Sequence, residues 1–369
     1  MRRLGLLALL AIAAVGTGAA WLDSQLSRPY RGHRPEKVFV EIPHGTSRWH
    51  VAGILRQDDV IRNRVAFMLF SLWHVHYPEQ AGEYLVEGQL DSRQLFWKVA
   101  KGQIFVHTVT VPEGWTKFDI ARELERQGVC TQEEFLAAAG DTSLIADLAP
   151  RAVSLEGFLF PSTYAFTRRA TCEQVAETMV RHFRKVWAEV YPAGSSAFPQ
   201  DLSIEQVVAV ASLVERETPN PTERPLVAGV FYNRLRHNEL LQCDPTVQYA
   251  MEMAGHPEKN VRPEDLKINS PYNLYMHKGL PPGPIANPGE ASLRAALNPA
   301  QTDYMYFVAN DQGGHFFSKT LEEHNRNVAR YRRLLAGDAL PADPKPSPKP
   351  TTKANGKHSK HPQKQRGKS

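Results

Sequence analysis

The nineteen residues from Leu4 to Leu22 carry no charge and follow directly on Arg2 and Arg3. No other feature limits the rest of the chain so strongly. Nineteen helical residues rise about 28 Å, close to the roughly 30 Å of a bilayer's hydrocarbon core. With two arginines before the run and Asp23 after it, the positive-inside rule places the N-terminus in the cytoplasm and the remainder on the far side. A cleaved signal peptide is the competing reading, because Thr17 to Ala20 offer small residues near a cut. Either way the chain after Asp23 is exported; a retained single-pass anchor in the inner membrane, with the C-terminal part in the periplasm, is the expectation. No cysteine lies nearby to make this a lipoprotein.

The net charge of +5 hints at an anionic partner, so its location matters. Residues 341–369 hold seven Lys, one Arg and one Asp, which leaves the other 340 residues at −2. The basic balance therefore belongs to the tail, and nucleic-acid binding, which needs a basic patch on a folded surface, is not expected. That tail, rich in Pro, Lys, Ser, Gln and Gly, cannot bury enough apolar surface to fold. Three cysteines, Cys130, Cys172 and Cys243, allow at most one disulfide, and spacing alone does not say which. The His residues are dispersed without metal-ligand or phosphate signatures, so no metal or cofactor is expected.

A polar stretch to Lys37, with Pro29 and Pro35, reads as a linker. Val38, Val40 and Ile42 then alternate as a strand, Pro43-His44-Gly45 turns the chain, and Val51, Ile54 and Leu55 continue at helical spacing. The same pattern returns 69 residues later: Val109-Thr110-Val111, Pro112-Glu113-Gly114, then Ile120, Ala121 and Leu124. Two related small α+β modules are one reading, and convergent strand–turn–helix punctuation is the other. A strand near Gly82 to Val86 would close one of them. Helices are expected at 172–190, 204–218, 224–236 and 321–335. The chain thus reads as α+β, with a cytoplasmic stub at 1–3, a transmembrane helix at 4–22, a linker at 23–37, small modules at 38–150, a helix-rich α+β chemical domain at 151–336 and a disordered basic tail at 337–369.

The helix at 204–218 ends in Val214-Glu215-Arg216-Glu217-Thr218. Carboxylates two residues apart on a helix diverge by about 200°, so they cannot face each other as an acid/base pair. They flank the apolar stripe of Val207, Val210, Ala211 and Val214 on opposite sides, and periodicity does not choose between them. Solvated flanking charges are the commoner origin of such a pattern. The stretch Glu156 to Tyr164 collects aromatics, an acid and hydroxyls around Pro161, a composition suited to sugar rings. Four prolines and three glycines between Gly279 and Gly289 make a rigid irregular loop, and ordered loops often line sites.

Seven motifs run in order: Glu156-Gly-Phe-Leu-Phe-Pro-Ser-Thr-Tyr164, Ala211-Ser-Leu-Val-Glu-Arg-Glu-Thr218, Val230-Phe-Tyr-Asn-Arg-Leu235, Cys243-Asp-Pro-Thr-Val247, Ser270-Pro-Tyr-Asn-x-Tyr275, Gly279-Leu-Pro-Pro-Gly-Pro-Ile285, and Gly313-Gly-His-x-Phe317 followed by His324-Asn325. In this order they closely resemble the MltG-type (YceG-like) endolytic murein transglycosylases, over about 155–331. The two Pro-x-Gly modules look like that family's LysM-like region. The resemblance implies a catalytic glutamate in the second motif. It is carried onto Glu217, which precedes Thr218, with Glu215 as the fallback. It further implies substrate-binding roles for Glu156, Asp244, Thr246, Tyr272, Asn273, His315 and Asn325, and peptidoglycan glycan strands as the partner, with cooperation from penicillin-binding proteins. Cys243 departs from the family pattern, where a Thr-like residue is usual. The alternatives are a non-catalytic wall-binding protein and a conventional hydrolytic glycosidase, whose second acid could only be Glu156.

Overall fold

Strand β1 (Lys37–Ile42) alternates buried and open positions and pairs antiparallel with β2 (Gly82–Glu87), setting Val40 opposite Tyr84 and Val38 opposite Val86. The structure, a computed structural model, describes residues 2–30, 32–192, 198–258 and 260–336; the basic tail expected beyond 337 lies outside them. Gly45 turns the chain at φ +76°, and Ser47 caps α2 (Arg48–Gln57). Asn63 caps α3 (Arg64–Trp73) by accepting from Val65 N and Ala66 N, and Asp91 opens α4 (Ser92–Ala100) with a capping box. Val40, Tyr84, Val51, Leu55, Phe67 and Phe96 share one core between the ribbon and these helices.

Ahead of this module stands α1 (Arg2–Ser27), whose stretch from Leu9 to Ser27 is long and apolar enough to cross a membrane and is almost wholly uncovered. The stretch 23–37, a linker by composition, is helical as far as Ser27 and tied to the module beyond it. Leu26 is buried, Asp23 pairs with Arg93, and Tyr30 N donates to Leu90 O at 2.9 Å. The Arg34 guanidinium reaches Val86 O and Gly88 O.

The second strand–turn–helix unit takes a different partner. Strand β3 (His107–Val111) pairs with β4 (Ser162–Phe166), so the ladder carries the chain across the boundary expected at 150. Thr116 opens α5 (Lys117–Arg126) and Thr131 opens α6 (Gln132–Gly140), both with capping boxes. Cys130 and Cys172 are joined by a disulfide at the start of α7 (Cys172–Val190), leaving Cys243 as the free thiol. Helix α8 (Ile204–Glu217) lies centrally against α9 (Arg224–Arg236), α10 (Asp244–Met253) and α11 (Glu290–Leu297). Its burial is wider than one stripe: Val208, Ala209, Ser212 and Leu213 are covered as well.

Residues up to Met305 form one compact unit, and those from Tyr306 form a second. In the second, β5 (Tyr306–Ala309) and β6 (His315–Ser318) make a hairpin beside α12 (Leu321–Ala336). Asn310 Oδ1 accepts from Gln312 N and Gly314 N at 2.9 Å each, which shapes its turn. Twelve α-helices and three separate antiparallel ribbons among the described residues make this a mixed α+β chain, as the sequence leads one to expect.

The disulfide closes a loop of 42 residues in sequence separation. Loop-closure entropy alone gives such a cross-link about 4 kcal/mol. Replacing both Cys130 and Cys172 by Ser is expected to lower the denaturant midpoint accordingly, measured by circular dichroism; an unchanged midpoint would refute this account of the bridge.

Candidate active site

Ser203 starts α8 with a capping box, and Thr218 ends it in an extended conformation. The three polar side chains of the last turn leave in three directions. Glu215 is drawn inward, its side chain 5% exposed, where Arg224 donates to it at 2.9 Å and the backbone N–H of Gly289 at 2.9 Å. Burial pushes its carboxyl pKa up, while Gly289 N–H and the Arg224 charge pull the other way. Arg216 reaches Gly114 O at 3.1 Å and Gln248 Oε1 at 3.2 Å.

Glu217 is half-buried and faces a different set of groups. The buried Cys243 thiol hydrogen-bonds to its carboxylate, and burial followed by the Glu217 charge raises that thiol's pKa well above the usual value. Tyr275 lies within electrostatic reach of Glu217 and Cys243, and its hydroxyl donates to the exposed Asp244 carboxylate. Burial, then that hydrogen bond, raises the Tyr275 pKa. A cleft of about 590 Å³ is lined by Trp115, Arg122, Arg216, Pro245, Gln248 and Glu252. Its lining takes in Arg216 and Pro245, the chain neighbours of Glu217 and Asp244, but not Glu217, Cys243, Asp244 or Tyr275 themselves.

The segments around the site are braced from inside. Glu156 is 2% exposed; it accepts from Lys117 N at 3.0 Å, Tyr249 Oη at 3.1 Å and Asn287 Nδ2 at 2.8 Å. Burial drives its pKa up to about 7 against the pull of the Lys117 N–H, the Lys117 charge and the Tyr249 hydroxyl. Asn287, fully buried, takes the N–H groups of Gly157 and Leu159 at 2.8 and 3.0 Å and donates to Trp115 O at 3.0 Å. Ser212 Oγ, on α8, accepts from Ile285 N at 3.1 Å. Gly157 turns at φ +88° where a Cβ would stand 2.4 Å from Pro284, so a side chain has no place there.

Of the expected substrate-binding residues, the structure brings Asp244 to Glu217. Glu156 is instead buried, held by Lys117 N, Tyr249 and Asn287. Thr246 is buried and donates to Cys243 O at 2.6 Å, holding the start of α10. Asn273 is buried and spends its amide on Leu266 O and Ile268 O at 2.9 Å each. Tyr272 packs on Tyr249 with ring centroids 5.0 Å apart, its pKa raised by burial to about 12. None of these four side chains is open to a sugar. His315 and Asn325 lie in the second unit, His315 edge-on to Phe307 at 5.3 Å and Asn325 exposed on α12. Sequence reasoning passed over Tyr275, the last residue of its own motif, and Asn287, for which a position between two prolines gave no polar signal.

A family model described as the YceG-like family matches residues 40–330. The chain belongs to the YceG-like family. A protein of Bacillus subtilis (strain 168) named endolytic murein transglycosylase is 34% identical over 330 residues, covering 85% of this chain and 90% of that protein. A protein of the same name from Streptococcus pneumoniae (strain D39) is 29% identical over 339 residues, covering 84% of this chain; the chain spans 61% of its length. A crystal structure of a YceG-like protein from Listeria monocytogenes aligns with a TM-score of 0.50 at 33% identity, covering 79% of this chain and 99% of that one.

Two outcomes follow for this YceG-like chain. Asn287→Ala orphans the buried N–H groups of Gly157 and Leu159, and should lower stability by about 2–4 kcal/mol in denaturant unfolding; a loss within error of zero would remove Asn287 as a brace. Glu156 keeps its proton in the folded chain up to about pH 7, whereas unfolded it releases it near the ordinary carboxyl value. Its contribution is therefore complete at low pH and is lost as pH rises through about 7, at most about 1.4 kcal/mol per unit. Glu156→Gln should abolish this component, so wild type should lose stability relative to the variant as pH rises from 5 to about 7; a constant difference would refute it.

Proposed function

We propose that this chain is an endolytic lytic transglycosylase that cuts peptidoglycan glycan strands between MurNAc and GlcNAc, with Glu217 as its single acid/base. Two relatives named endolytic murein transglycosylase support the activity, and both align over more than four-fifths of this chain. For the residue, the supporting observation is the division of labour at the end of α8. Glu215 is engaged by Arg224 and Gly289, whereas Glu217 is half-buried against Cys243 and Tyr275.

In the first step the Glu217 acid gives its proton to the glycosidic oxygen as the bond from MurNAc C1 breaks, and the GlcNAc end leaves as an alcohol. The resulting carboxylate then takes the proton of the MurNAc C6 hydroxyl, whose oxygen closes onto C1. The product is a 1,6-anhydro end, no water is consumed, and Glu217 regains its proton. Ordinary glycosidases need a second carboxylate to activate water or attack. Glu156, the candidate for that role, is enclosed among protein donors, which favours the one-glutamate route. Asp244, oriented by Tyr275, supplies an acceptor for a sugar hydroxyl at the mouth of the site.

The wider proposal places 151–336 as the catalytic region and the two strand–turn–helix units as LysM-like glycan-gripping modules. The α1 helix would hold the enzyme at the periplasmic face of the inner membrane. There it would act on nascent strands beside penicillin-binding proteins and terminate their elongation.

Mass spectrometry of purified peptidoglycan treated with the full-length chain in detergent tests this. Wild type should release anhydro-MurNAc ends, Glu217→Gln should lower their yield by about two orders of magnitude or more, and Glu215→Gln should instead lower thermal stability. Reducing ends from wild type would indicate a hydrolase. Loss of cleavage in a stably folded Glu215→Gln with retention in Glu217→Gln would reassign the acid.

A further inference from the structure

Helix α3 buries one face and leaves a second apolar face bare. Ala66, Phe67 and Ser71 enter the core of the first module, whereas Val65, Leu69, Leu72 and Trp73 are exposed, Trp73 to 86%. These four recur at i, i+4, i+7 and i+8, so they line one stripe. The chain then adds Val75 and Tyr77, each more than half exposed. Scattered apolar side chains need no explanation on a protein surface, but a contiguous patch of this kind marks an interaction site.

The position of α1 says what lies against it. The end of α1 packs on α3 and α4, with Leu26 buried in the module and Asp23 paired to Arg93. From Leu22, where the apolar run stops, to Leu26 the helix rises about 6 Å. The polar layer on each side of the hydrocarbon core is about 5–8 Å deep. When α1 crosses a bilayer, the part of α3 that packs on the end of α1 therefore stands at the level of the headgroup layer. Trp and Tyr favour that layer because their rings are apolar at one end and polar at the other. Arg28 and Arg62, both exposed on the segments entering this region, suit lipid phosphates.

We infer that the stripe of Val65, Leu69, Leu72 and Trp73, extended by Val75 and Tyr77, is a membrane-interface surface that lies in the lipid headgroup layer beside α1. The inference rests on α1 being a retained span. Anchor and stripe together make two attachments, which fix the orientation of the first module on the bilayer where a lone helix would leave it free to swivel.

Reporter cysteines at Val15, Leu72 and Val153, introduced singly into the full-length chain and labelled with an environment-sensitive fluorophore, test this in vesicles of phosphatidylethanolamine and phosphatidylglycerol. Val15 lies mid-helix in α1, and Val153 is 65% exposed on the unit's surface. The native thiols do not compete, because Cys243 is buried and Cys130 and Cys172 are bridged. Lipids spin-labelled near the top of the acyl chain should quench Leu72→Cys severalfold more than Val153→Cys, with Leu69→Cys as a second reporter on the stripe. Quenching at Val15→Cys without quenching at Leu72→Cys or Leu69→Cys overturns the surface. No lipid quenching at Val15→Cys overturns the anchor on which it rests. A stripe label shielded from iodide yet not quenched by lipid assigns the stripe to a second copy of the chain and also overturns the inference.

Discussion

The side-chain amide of Asn287 makes four hydrogen bonds in a fully buried position, and three chain segments meet on it. One is the turn at Gly114–Lys117, one the turn at Glu156–Leu159, and one the Pro/Gly loop that carries Asn287 itself. All three are irregular and lie inside the protein, where unpaired backbone groups are expensive. Asn287 and Glu156 supply the partners that a helix or ladder would otherwise provide. The prolines of the loop reduce the number of backbone donors to be satisfied, which is why so rigid a segment can run through the interior.

This bracing bears directly on the end of α8. Ser212 accepts from the backbone of the loop at Ile285, and Glu215 accepts from it at Gly289. Helix and loop are thus fastened on one side, with Arg224 neutralising the buried Glu215. The same turn of helix leaves Glu217 on the other side, toward Cys243, Asp244 and Tyr275. Two carboxylates of one short motif are separated by the helical angle between them, one drawn to Arg224 and Gly289 and the other to Cys243 and Tyr275. A buried setting for Glu215 and a half-buried one for Glu217 arise from a single packing arrangement.

The two strand–turn–helix units show how far local pattern reaches. Both form strand, turn and helix where the residues indicate. The first finds β2 and three helices of its own and completes a core around Tyr84, Phe67 and Phe96. The second finds β4, which belongs to the Glu156–Tyr164 motif, and its turn is bonded through Asn287 and Glu156. Strand alternation states that one face must be covered; which strand covers it is decided by segments far away in sequence.

The sequence by itself determined the elements with strong local signals: an apolar N-terminal helix, the paired Pro-x-Gly turns, the bounds of α7 and α9, and the family through seven ordered motifs. Helical spacing also determined that Glu215 and Glu217 diverge. It could not say which one turns inward, because that depends on Arg224 and Gly289, residues brought to α8 only by packing. Nor could motif membership distinguish a buried side chain from an open one. Glu156, Thr246, Tyr272 and Asn273 are polar and sit in the right motifs, but the fold surrounds them with protein donors, acceptors and rings, whereas Asp244 stays open beside Glu217. Composition allowed any pairing of three cysteines, and only the approach of α6 to α7 joined Cys130 to Cys172. Local periodicity is a property of neighbours in the chain. Burial and partnership are properties of neighbours in space, and these the tertiary structure alone decided.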